Sequence, residues 1–191
     1  VVRGGRIVAE RYWGSTNATT MHDLESTTKS ISSALIAHAI QRKLLSVKTP
    51  VSKYYDIKPL TAAAGSKPLL MENVLAMSAG MNGTYWEDRT WFGHCRDWNR
   101  AFRQGTGPDG VETGRFVAEH GLLKTPGSSF VYSWCNTGLA SGIFKQVTGK
   151  GLAAYASRPG GLFEKIGIRN GTFRWMGNKC GENELDGSSY H

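Results

Sequence analysis

Ser26-Thr27-Thr28-Lys29-Ser30 places a hydroxyl and an amine three residues apart, just ahead of a long apolar pattern. Residues at i and i+3 share a helix face. A helix N-terminus favours negative charge through its unpaired N–H groups and its macrodipole, so an alkoxide on Ser26 is stabilised there. A lysine serves as the base for such a serine when desolvation or a neighbouring cation lowers its proton affinity. The same residues also fit a plainer arrangement, a helix N-cap followed by a solvated lysine.

Outward from this stretch, Ile31, Ala34, Leu35, His38, Ala39 and Leu45 recur at helical spacing and predict a helix running through the core, with His38 a satisfied core histidine. Pro50 biases Thr49 away from the helical region and ends it. Upstream, Arg6 to Trp13 is rich in strand formers between Gly4-Gly5 and Gly14, which predicts one strand of a hairpin. Downstream, a short helix is predicted over Val51 to Tyr55 and another over Leu69 to Met77, with Gly80 as a left-handed stop. Further helices are predicted over Arg115 to Leu123, Thr137 to Val147 closed by Gly149, and Leu152 to Ala156. Between them Trp86, Trp91, Phe92, Trp98 and Phe102 fall at irregular spacing, as packing for a lobe of helices and loops or as the wall of a cleft.

Composition narrows the function classes. The 191 residues are 40% hydrophobic and 10% aromatic, enough to bury a core within one domain. Lys and Arg number 23 against 15 Asp and Glu, a net +8, but they are spread along the chain without a block or an aromatic-basic stripe, so specific nucleic-acid binding is not indicated. Cys95, Cys135 and Cys180 lie far apart, which indicates neither a disulfide framework nor a zinc site, and His94 beside Cys95 does not change that. No apolar run approaches the roughly 20 residues of a membrane helix, and residues 1–191 contain no charged-then-apolar leader, while a leader lost upstream of Val1 fits equally because the first residue is not Met. Sequons at Asn17, Asn82 and Asn170 matter only in a secretory compartment; a cytoplasmic or an exported protein fits equally.

The order of several fragments carries a resemblance. Gly5 to Tyr12, Ser26-Thr27-Thr28-Lys29-Ser30, Pro50 to Tyr55, Leu70 to Met81 (LMENVLAMSAGM), Pro126 to Ser133 (PGSSFVYS) and Leu162 to Ile168 (LFEKIGI) resemble, in the same order and at similar separations, the serine beta-lactamase and penicillin-binding-protein-like superfamily. The branch they resemble holds class C beta-lactamases, DD-peptidases, esterases and 6-aminohexanoate-dimer hydrolases. The resemblance implies an α/β (α+β) beta-lactamase/transpeptidase-like fold, with a helical lobe and the N-terminal strands of an antiparallel sheet. The third motif of that family and the remaining sheet strands are expected beyond position 191. One partial domain over 1–191 is implied, with the N-terminal strand region at 1–14, the nucleophile helix at 24–45, the helical lobe at 46–160 and a return towards the sheet at 161–191.

The resemblance further implies a serine hydrolase acting on a small amide or ester through an acyl-enzyme on Ser26. Lys29 and Tyr132 would be its proton-transfer groups, with no metal or organic cofactor. Trp134 and Asn136 would be substrate-binding candidates. Tyr132-Ser133-Trp134-Cys135-Asn136-Thr137 departs from the family's usual Tyr-x-Asn by placing the asparagine two residues later, a pattern nearer the dimer-hydrolase and esterase branch. The other reading is a catalytically inactive relative that keeps the scaffold as a binding or interaction module.

Overall fold

The computed structural model describes residues 1–22, 24–81, 118, 121–169, 172–173 and 175, apart from the side chains of Glu25 and Trp134. The aromatic segment at 85–103, His94, Cys95, Cys180, the sequons starting at Asn82 and Asn170, most of the helix predicted over 115–123 and the side chain of Trp134 lie outside the described residues. The elements in chain order are β1 (Val2–Arg3), β2 (Arg6–Ile7), α1 (Thr28–Gln41), α2 (Met71–Leu75), α3 (Trp134–Thr148), α4 (Leu152–Ser157) and α5 (Leu162–Lys165), with short 3₁₀ turns at Glu25–Thr27, Val51–Lys53 and Ala64–Ser66.

β1 and β2 form the expected hairpin, antiparallel with Val2 opposite Ile7 and Arg3 opposite Arg6. Gly4 and Gly5 make the tight turn at φ +55° and +73°, a region glycine enters without a Cβ penalty. The predicted strand is cut short: beyond Ile7 only the pairing of Val8 and Ala9 with Val1 continues it. Among the described residues no third strand flanks the hairpin, and Val1, Val2, Ile7 and Val8 stand exposed. A lone two-stranded ribbon buries too little to extend itself.

Spacing alone predicts that α1 runs through the core, but the structure gives that position to α3. α1 buries Thr28, Ser32, Leu35, Ile36 and Ala39 while Ala34 is exposed, so it lies on a flank. α3 is buried at every described position from Gly138 to Phe144, and it packs against α1, α2 and α4. Its small residues Gly138, Ala140, Ser141 and Gly142 let neighbouring helices approach. α3 also begins earlier than predicted, at Trp134, because the Ser133 hydroxyl accepts the Cys135 N–H as an N-cap. Gly149 closes it in the left-handed conformation, as predicted.

α2 corrects the expectation about Gly80. The helix stops at Leu75, and the left-handed residue behind it is Met77, at φ 51°. Gly80 instead permits a close backbone approach. At φ +78° a Cβ there would sit 2.2 Å from the Lys124 carbonyl oxygen, because Leu123 and Lys124 both donate their N–H to the Gly80 carbonyl. Gly149, at φ +70°, has open space where its Cβ would go. Gly80→Ala is therefore expected to cost about 1–3 kcal/mol through strain plus a displaced backbone, and Gly149→Ala only about 1 kcal/mol for the backbone conformation. Urea denaturation of the two variants checks the difference; equal losses would refute the clash at Gly80.

Candidate active site

Ser26 sits in the 3₁₀ turn Glu25–Thr27 that feeds directly into α1. The turn is held by the Thr27 N–H on the Leu24 carbonyl at 3.0 Å. Thr27, not Ser26, is the N-cap residue, and its side chain makes no cap bond, so the serine hydroxyl is not occupied by capping α1. Ser26 is exposed and Lys29 half-buried. One turn along, the Lys29 Nζ donates to Ser26 Oγ at 3.1 Å.

Tyr132 reaches the same oxygen from 106 residues away, donating its hydroxyl to Ser26 Oγ at 2.5 Å. Its position is fixed from both sides in sequence. Val131 donates its N–H to the Met77 carbonyl at 2.8 Å, which ties the segment to the end of α2, and Ser133 is the N-cap of α3. Lys29 Nζ lies 5.3 Å from the Tyr132 ring centroid, within cation–π reach, so the three side chains form a closed triangle. A serine hydroxyl has two lone pairs and accepts both donors at once. Two donors aimed at one oxygen stabilise charge developing there, and either becomes a proton acceptor when it is unprotonated.

The other candidates fall differently. Asn136 is 3% exposed, and among the described residues its Oδ1 has no hydrogen-bond partner. It shares with Lys29 a cavity of about 90 Å³ between α1, α2 and α3, lined also by Ser32, Ile36, Val74 and Ser141. Trp134 opens α3. Two polar positions near the site escape a reading based on apolar periodicity: Thr28, 1% exposed, and Ser32, 6% exposed, whose hydroxyl donates to the Thr28 carbonyl. The signal that finds them is the i+4 step from Thr28 to Ser32, which continues to Leu35, Ile36 and Ala39 on the buried face of α1.

Among the described residues no group of His, Cys, Asp or Glu is placed to hold a metal ion, and no helix is long and apolar enough to cross a membrane.

Residues 1–160 match the beta-lactamase family profile. Comparison with curated proteins gives no match. Among solved structures the chain is similar to a putative 6-aminohexanoate-dimer hydrolase from Bacillus anthracis, at 16% identity and a TM-score of 0.62 over 99% of this chain and 48% of that one. It is similar to EstCE1, described as a hydrolase with promiscuous acyltransferase activity, at 19% identity and a TM-score of 0.57 over 76% of this chain and 37% of that one. It is also similar to a penicillin-binding protein homologue from Caulobacter crescentus, at 24% identity and a TM-score of 0.53 over 79% of this chain and 36% of that one. The chain thus spans between about a third and a half of the length of these structures.

Proposed function

The chain belongs to the beta-lactamase family, and from that premise we propose that it contributes the nucleophile and proton-transfer groups of a serine hydrolase acting on a small amide or ester. The observation that carries the proposal is the convergence of Lys29 Nζ at 3.1 Å and Tyr132 Oη at 2.5 Å on Ser26 Oγ. In this reading Ser26 Oγ attacks the acyl carbon and its proton passes to Lys29, directly or through Tyr132. The Ser26 N–H, at the start of the helix, helps to hold the oxyanion. The leaving amine or alkoxide takes its proton from Tyr132, which leaves the acyl group on Ser26. Water then attacks the ester, with the same groups running in reverse.

Neither of the substrate contacts drawn from the resemblance is built into this proposal. Asn136, buried beside the cavity it shares with Lys29, and Trp134 are given no role in it. The alternative reading is a binding or interaction module that keeps the same scaffold without turnover.

The test is covalent labelling. The chain is incubated with a fluorophosphonate probe and digested, and the modified peptide is mapped by mass spectrometry. Label on Ser26 that disappears in Ser26→Ala supports the acyl-enzyme reading. Label that persists in Ser26→Ala, or a folded wild-type chain that takes none, refutes it and leaves the binding-module reading.

A further inference from the structure

The far end of α1 carries a contact that the Ser26 chemistry does not use. His38, in the last turn of α1, holds its Nδ1 3.1 Å from the Tyr155 hydroxyl of α4, with the two rings edge-on at 5.8 Å. Tyr155 is 5% exposed. Its ring meets Phe144 of α3 edge-on at 5.0 Å, and the Arg158 guanidinium 3.4 Å from its centroid. Arg158 also donates to the Tyr155 carbonyl. The contact therefore locks α4 to both α1 and α3.

The charges acting on the imidazole are Arg42 from the end of α1, Arg158 from beyond α4 and Lys165 from α5. All three are cations. Glu164, the carboxylate next to Lys165 in sequence, is engaged with the Gly160 N–H at 2.7 Å. Desolvation first, and then repulsion from Arg158, Arg42 and Lys165, hold His38 below its ordinary proton affinity. The helix C-terminus would by itself favour a protonated histidine; burial and three cations outweigh it here.

We propose that the His38–Tyr155 contact is an acid-sensitive joint between α1 and α4, closed while the imidazole is neutral and opened when it takes a proton. A neutral ring protonated at Nε2 accepts the Tyr155 O–H at Nδ1. The imidazolium carries N–H on both nitrogens and accepts nothing, so the Tyr155 O–H loses its acceptor and its oxygen must turn to face the Nδ1–H, while the ring adds a fourth positive charge to Arg42, Arg158 and Lys165. The sign follows from linkage. In the unfolded chain His38 binds its proton near the ordinary value of about 6.5, and in the folded chain it does so only at lower pH. The unfolded state therefore holds more protons as pH falls through about 6.5, and stability is lost over that window until the folded form also protonates.

The test compares the 191-residue chain with His38→Gln, whose side-chain oxygen still accepts from Tyr155 but never becomes charged. Melting temperature and amide exchange, corrected for intrinsic rate, are followed at about pH 7.5 and about pH 5. Between those values the wild-type chain is expected to lose about 2–4 °C more than His38→Gln, with exchange quickening in Leu152–Ser157 ahead of α2. Equal pH dependence in the two folded proteins overturns the proposal. Should His38→Gln fail to fold, the His38 ring titration followed by NMR in the wild-type chain decides. A midpoint below about 6.5 that rises in Arg158→Gln supports the joint, and a midpoint at or above that value, or one indifferent to Arg158, overturns it.

Discussion

Lys29→Met is expected to slow acylation of Ser26 by about 10³-fold, within the 10²–10⁴ that a positioned proton-transfer group contributes, while the melting temperature stays unchanged. Methionine matches the length of the lysine stem and suits the apolar part of the surroundings, Ile36, Val74, Leu75 and Met77, so the fold has no reason to respond. What it removes is the nitrogen 3.1 Å from Ser26 Oγ. Lys29→Arg separates two explanations of that loss. Arginine keeps the positive charge and its donors but is never deprotonated in a protein. If Lys29 accepts the serine's proton, the arginine variant is as slow as the methionine one. If it acts only as a fixed cation beside the oxyanion, arginine retains most of the rate. The measurement is the second-order rate of fluorophosphonate labelling at Ser26, with a folded circular dichroism spectrum as the control. Full-rate labelling in Lys29→Met would remove Lys29 from the mechanism.

Much of this arrangement is legible in the sequence because it is local. Ser26 and Lys29 are one turn apart, and a helix once formed dictates their proximity whatever surrounds it. Gly149 behind α3 is similarly local, since a left-handed glycine ends a helix without any tertiary partner. The meeting of Tyr132 with Ser26 is not local. No periodicity brings residues 106 positions apart together, and only the order of family-like fragments points to it.

Where tertiary packing overrides local pattern, reading residue by residue fails. The apolar spacing of α1 predicts a buried Ala34, yet Ala34 faces out and Ile36, outside the predicted set, is buried. The position of α3 at the centre depends on Gly138, Ala140, Ser141 and Gly142, whose value is the closeness of approach they permit, which hydropathy does not register. Asn136 illustrates the same gap. The resemblance implies a substrate contact for it, and nothing in the apolar spacing tells that its place in the first turn of α3 buries it to 3% exposure. Gly80 looks like a helix stop, while its φ of +78° serves a backbone approach to Lys124, 44 residues on.

Phe144→Ala is expected to be among the most destabilising single substitutions at the described residues, at about 3–5 kcal/mol for truncating a fully buried aromatic ring. Phe144 is 0% exposed and stands on α3, the helix that packs against α1, α2 and α4. Its ring meets Tyr155 at 5.0 Å, so truncation opens a void and also removes one support of the α4 junction. Close-packed surroundings relax only partly into such a void. Against a total stability of about 5–15 kcal/mol for an ordinary domain, a loss of this size leaves little folded protein at 37 °C. Phe130→Ala makes the same chemical change at a side chain that is 69% exposed, and is expected to cost about 0.5 kcal/mol or less. Urea denaturation midpoints for the pair, at unchanged m-value, measure the difference between a ring in the core and the same ring in water. Comparable losses at the two positions would mean that α3 is not the helix around which the lobe is packed.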